Sequence, residues 1–139
     1  MPAADLPAVF AELRRRLCVH EDAFRASSNL TDANRPSSRK VDEPSPGDTY
    51  MLLGAPHEKY PDGMVFAGVK QQKRYVSYYL MPVYTEPELA GAVSPDLRKR
   101  MQGKSCFNFT KVDEGLFDEL MDLTEKGREA YAVKGWLAR

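Results

Sequence analysis

The hydrophobic period of this chain changes from that of a helix to that of a strand and back again, and few folds accommodate that order. Near the N-terminus Leu6, Val9, Phe10, Leu13 and Leu17 recur at steps of three and four, which makes one apolar stripe on a helix. The stripe predicts a helix from about Asp5 to Cys18, with Asp5 as cap, Pro7 tolerated in the first turn, and Arg14, Arg15 and Arg16 where the dipole favours cations. Three strands follow: Asp48–Leu53, Gly63–Lys70 and Arg74–Met81. In the second, alternation puts Met64 and Phe66 on one face and Val65, Ala67 and Val69 on the other. RYVSYYLM (74–81) is the most strand-like stretch, with no proline and no charge in its interior, and reads as a central strand.

A proline-punctuated stretch, PVYTEPEL (82–89), leads to a short helix, Pro95–Gln102. Ser94 is its N-cap and Gly103 its stop. KSCFNFTK (Lys104–Lys111) reads as a fourth strand, lysine-bounded and suited to a sheet edge. A last helix starts near Asp113 and runs to about Tyr131, with Leu116, Phe117, Leu120, Met121 and Leu123 as its apolar face. Trp136 and Leu137 then pack back onto the domain. Strands in a run between helices predict an α+β fold: an antiparallel sheet of about four to five strands, flanked by an N-terminal and a long C-terminal helix. Residues 1–139 form one domain. The stretch 26–47 holds three prolines and five serines and reads as a mobile surface loop.

Composition narrows the function classes. Hydrophobic residues make up 42% of the chain, enough for a packed core. Lys plus Arg and Asp plus Glu are 20 each, so net charge directs the chain to neither nucleic acid nor an anionic membrane. Cys18 and Cys106 form no C-x-x-C pair, and no apolar run approaches a membrane span. The expected location is cytoplasmic, with both thiols reduced.

The motifs mostly resolve to structure. Gln102-Gly-Lys-Ser105 looks like the end of a phosphate loop. It has Arg98 where a glycine is needed, and it follows a helix rather than a strand. Arg98, Lys99, Arg100 and Lys104 cluster locally and, with Lys70, Lys73 and Arg74, could make an anion patch. A solvated face is the commoner meaning of such a run, and no nucleic-acid partner is expected. His20 and His57 lack ligand spacing, and no nucleophile and base pair is visible. Lys104 could lower the Cys106 thiol, although burial is the plainer expectation. The aromatics Tyr75, Tyr78, Tyr79, Tyr84, Phe107 and Phe109 suit either sheet packing or a binding face.

YVSYYLMPVY (75–84), SPDLRKRMQGKSCFNF (94–109) and the closing helix from Asp113 resemble the YdhG-like family of bacterial domains of unknown function. The likeness covers about residues 48–131. It implies a small α+β domain, with some members described as frataxin-like iron chaperones and a shape likened to secretion chaperones. Together these readings predict a non-enzymatic binding domain for a small anionic molecule or a protein segment, without a cofactor. The expected ligand residues are Tyr78, Tyr84, Arg98, Lys104 and Phe107. The alternative is an iron-binding chaperone using the acids of the last helix, Asp118, Glu119, Asp122 and Glu125. Pairing of the Lys104–Lys111 edge across a two-fold axis would give a homodimer.

Overall fold

A computed structural model describes residues 6–28, 47–61 and 63–138. The predicted cap Asp5 and residues 29–46 of the predicted loop lie outside them. The apolar stripe folds as expected into helix α1 (Leu6–Leu17), which buries Val9, Phe10, Leu13 and Leu17 and carries the three arginines in its last turn. A 3-10 turn (Cys18–Asp22) then reverses the chain, and the His20 carbonyl accepts the N–H groups of Ala23 and Phe24.

Strands β1 (Arg25–Ser28), β2 (Thr49–Leu53), β3 (Val65–Gln71), β4 (Val76–Leu80), β5 (Met101–Gln102) and β6 (Cys106–Phe109) form one antiparallel sheet in the order β1-β2-β3-β4-β6-β5. The class is α+β, as the run of strands predicts, with six strands rather than four or five. β4 is central, between β3 and β6. The extra strand β1 replaces the expected start of the 26–47 loop. Its RASS sequence carries no strand signal because its side chains from Arg25 to Ser27 stand exposed at an edge. What holds it is backbone pairing with β2, from Arg25↔Leu53 to Ser28↔Tyr50, and the preceding Phe24, stacked on Phe66 at 4.0 Å.

Three further expectations are corrected. The helix expected over Pro95–Gln102 stops after one turn (Pro95–Arg98). Gly103 then adopts φ +80° as the turn of a β5–β6 hairpin. The left-handed conformation that ends a helix also closes a hairpin, so the glycine alone did not distinguish them. β6 is therefore not an edge: β4 flanks one side and β5 the other, and a dimer pairing through β6 has no free strand to use. Finally, the β2–β3 register slips between Leu52↔Ala67 and Leu53↔Val65. The bulge turns Phe66 inward beside Ala67 and Val69, where simple alternation put it on the opposite face.

Helices α2 (Met81–Thr85), α3 (Pro87–Ala92) and α4 (Pro95–Arg98) each start with a proline at the first or second position, where no helical N–H is lost. The long helix α5 (Glu114–Lys134) is capped by Asp113, which accepts the Leu116 N–H at 3.1 Å, and ends on left-handed Gly135. Its buried face includes Phe117, Leu120, Leu123 and Tyr131. Trp136 packs edge-on against Tyr131 at 5.0 Å. Helices α1 and α5 share one sheet face, and the core lies between them and that face. Among the described residues no helix is long and apolar enough to cross a membrane.

Candidate ligand groove

β4 runs directly into α2, and the turn of the β5–β6 hairpin lies against that junction, since the Leu80 N–H donates to the Ser105 carbonyl at 2.8 Å. Helix α2 is seated on α5 at Gly127. A Cβ there would come within 2.7 Å of the Pro82 ring, so the closeness of the two helices depends on the missing side chain. Lys134 donates to Glu86 at 2.5 Å and ties the α2–α3 junction to the end of α5. One turn later Ser94 donates its N–H and hydroxyl to the Glu119 carboxylate at 2.8 and 2.6 Å, fixing the start of α4 to the same helix.

These anchors leave a groove of about 450 Å³ between α2–α3 and the β5 hairpin, lined by Val83, Tyr84, Pro87, Ala90, Arg98, Met101, Gly103 and Lys104. Val83 is the buried floor, with Pro87, Ala90 and Met101 as apolar walls. Tyr84 is 58% exposed. The Lys104 ammonium lies 5.7 Å from its ring centre, within cation–π range. Arg98 spans the α3–α4 corner: its Nη2 donates to the carbonyls of Ala90 at 3.1 Å and Val93 at 3.3 Å. Carbonyl dipoles orient the guanidinium without neutralising it. The lining contains no carboxylate, so two cations border an apolar cleft.

Of the five residues expected to bind ligand, the fold brings together Tyr84, Arg98 and Lys104. Tyr78 and Phe107 sit elsewhere, fully buried and opposite one another in the β4–β6 register. The Thr124 hydroxyl donates to the Leu120 carbonyl at 2.7 Å, so it accepts from the Tyr78 hydroxyl at 2.6 Å. Burial pushes that phenol well above its ordinary pKa. Phe107 bears on the groove only through Met101, its neighbour across the hairpin. Val83, Pro87, Ala90 and Met101 escape a sequence reading because they are ordinary apolar residues. Pro82 and Pro87, five positions apart, are the one signal that two short helices turn here.

The other candidate chemistry disperses. Lys99 pairs with Asp96 at 3.8 Å on the surface. Lys73 and Arg74 belong to the β3–β4 turn, at the far end of β4 from Lys104; five strand residues put the two groups roughly 15 Å or more apart. The basic residues therefore form no single patch. Cys106 donates to the Asn108 side chain at 3.4 Å, and burial pushes its thiol up, the opposite of activation. The acids of α5 also part company: Asp118 binds Arg16 at 2.6 Å, Glu119 binds Ser94, and Glu125 faces His20. Among the described residues no group of three or more His, Cys, Asp or Glu could hold a metal ion.

No family model, no curated protein and no solved structure matches this chain.

Proposed function

We propose that the chain is a binding domain, and that its ligand is an anion with an apolar body held in the α2–α3/β5 groove. The observation behind this reading is the pairing of an apolar cleft with Lys104 and Arg98 at its rim and no carboxylate in its lining. A carboxylate placed there would gain two charge-assisted contacts beside a half-exposed aromatic ring, while its apolar end displaces water from Val83 and Met101. Binding rather than catalysis is favoured because, beside Lys104 and Tyr84, the lining holds no serine, threonine, cysteine, histidine or carboxylate to complete a nucleophile and base pair. The two sequence stretches that resemble YdhG-like domains, 75–84 and 94–109, are the ones that supply Tyr84, Arg98 and Lys104. The dispersal of the α5 acids gives the iron-chaperone alternative no cluster to rest on.

N-acetyl-leucine and its amide are suitable first probes. In amide-resolved NMR titration the free acid is expected to give saturable shifts confined to residues 83–104, and the amide to bind about tenfold more weakly. Lys104→Gln should reproduce that weakening with the acid. The absence of saturable shifts at millimolar acid, or equal binding of acid and amide, removes the proposal.

A further inference from the structure

Among the described residues β5 is the last strand on its side of the sheet, the groove borders that edge, and the ladder fixes what the edge presents. Met101 lies opposite Phe107 and Gln102 opposite Cys106. The Asn108 N–H donates to the Arg100 carbonyl at 2.8 Å, so the ladder bonds of this hairpin run through residues 100 and 102. In an antiparallel pair the alternate residue turns its backbone groups the other way. The N–H and C=O of Met101 are therefore directed away from β6, to the outside of the sheet, where β5 is the last strand. Its side chain meanwhile packs half-buried on the core and lines the groove. One residue thus offers a donor, an acceptor and an apolar wall, with Lys104 three positions on and Arg98 three positions back.

The geometry points to an extended peptide as the occupant, entering as an added strand on β5 and ending in a free C-terminal carboxylate. This rests on the groove reading above and narrows it. Backbone pairing with Met101 sets the peptide's direction and register. An apolar terminal side chain fills the cleft over Val83, and the carboxylate meets the cationic rim. A free apolar acid satisfies only the last two. Strand addition to a sheet edge gives affinity through main-chain hydrogen bonds and specificity through alternate side chains. The β5 edge contributes two such bonds, each worth about 1 kcal/mol net, a combined gain of roughly ten- to thirtyfold in affinity.

The test uses the full chain and an N-acetylated hexapeptide of alternating threonine and leucine, ending in a free leucine carboxylate, compared with N-acetyl-leucine. The peptide is expected to bind at least tenfold more tightly. N-methylation of the backbone amide that meets the Met101 carbonyl, located by methylating successive amides in turn, should remove one bond's share of that gain, about fivefold. Met101→Pro removes the outward N–H while sparing both ladder bonds of the hairpin, and is expected to lose the same increment. The methylated peptides carry the test if that variant fails to fold. Equal affinity of peptide and N-acetyl-leucine, or a tighter peptide indifferent to every methylation, overturns strand addition and leaves the groove reading standing. Failure of both probes to bind removes the groove reading and this inference together.

Discussion

Tyr78 and Tyr84 lie six positions apart in one aromatic stretch and do different work, and the difference is set by what each hydroxyl finds. Tyr78 donates to Thr124 inside the core, whereas Tyr84 stands at the surface under Lys104. Tyr78→Phe should lower stability by about 1 kcal/mol, since one buried hydrogen bond is lost and Thr124 keeps its bond to Leu120. Denaturant titration should show a lower midpoint at unchanged slope, and N-acetyl-leucine binding should not move. His20 makes a second residue-scale prediction. Its ring is buried and edge-on to Phe66. Arg128, always a donor, approaches Nδ1 at 3.2 Å, so Nδ1 accepts and the neutral ring carries its proton on Nε2, 3.9 Å from Glu125. Burial pulls its pKa below the ordinary 6.5, and Arg128 adds to this against the pull of Glu125 and Asp22. A folded-state pKa below the unfolded one means that the unfolded chain binds the proton more tightly. Stability should therefore be full above pH 6.5, fall as pH drops through that value, and level off once the folded ring is itself protonated. Denaturation midpoints between about pH 8 and pH 5 check this, and His20→Gln should flatten the slope in that window. Glu12 is separable, because bonds from Arg15 and Arg16 hold its carboxyl down to about 2, and its loss belongs to stronger acid.

At the scale of elements, how much could be read depended on what each element buries. Helices α1 and α5 bury a regular stripe and β2 an alternate face, while β3 and β4 are buried along almost their whole length, and their apolar residues announce it. β1 and β5 bury little and exist through backbone pairing, which leaves no mark in composition. β5 was hidden further inside an apparent helix, because Ser94, Pro95 and Leu97 do start one and Gly103 does stop something. The bulge at Phe66 escaped for a related reason: alternation has no symbol for a residue counted twice. Of the groove, the sequence showed the cations and Tyr84, which are chemically conspicuous, and hid the walls. Its apolar depth depends on α2 resting against α5 at Gly127, and that contact can be tested. In an isolated helix Gly→Ala gains about 1 kcal/mol. Here the added methyl meets Pro82, and overpacking of this kind costs about 1–3 kcal/mol. Gly127→Ala should therefore leave the protein no more stable, and more often less so, while weakening N-acetyl-leucine binding as Val83 and Tyr84 shift. A clear rise in melting temperature with binding intact would show that the helices are not held by this contact.

For the molecule as a whole, the sheet order decides which surfaces are available. Placing β5 outside β6 turns the lysine-bounded strand into an interior one and transfers the edge to two residues beside the groove. The opposite edge, β1, lies five strands away, so a ligand pairing with β5 leaves it untouched. The groove has a further property of its own. Every residue that lines it falls between Val83 and Lys104, while the contacts that seat that segment come from Gly127, Glu119 and Lys134 outside it. Within the segment only Val83, Leu89, Val93 and Leu97 belong to the buried apolar core. With Gly103 keeping its left-handed turn, Arg98 its corner and Met101 its packing on the core, one short stretch of coding sequence can be varied at Tyr84, Ala90 and Lys104, which makes this a frame in which ligand preference could drift, or be redirected in the laboratory, without renegotiating the fold.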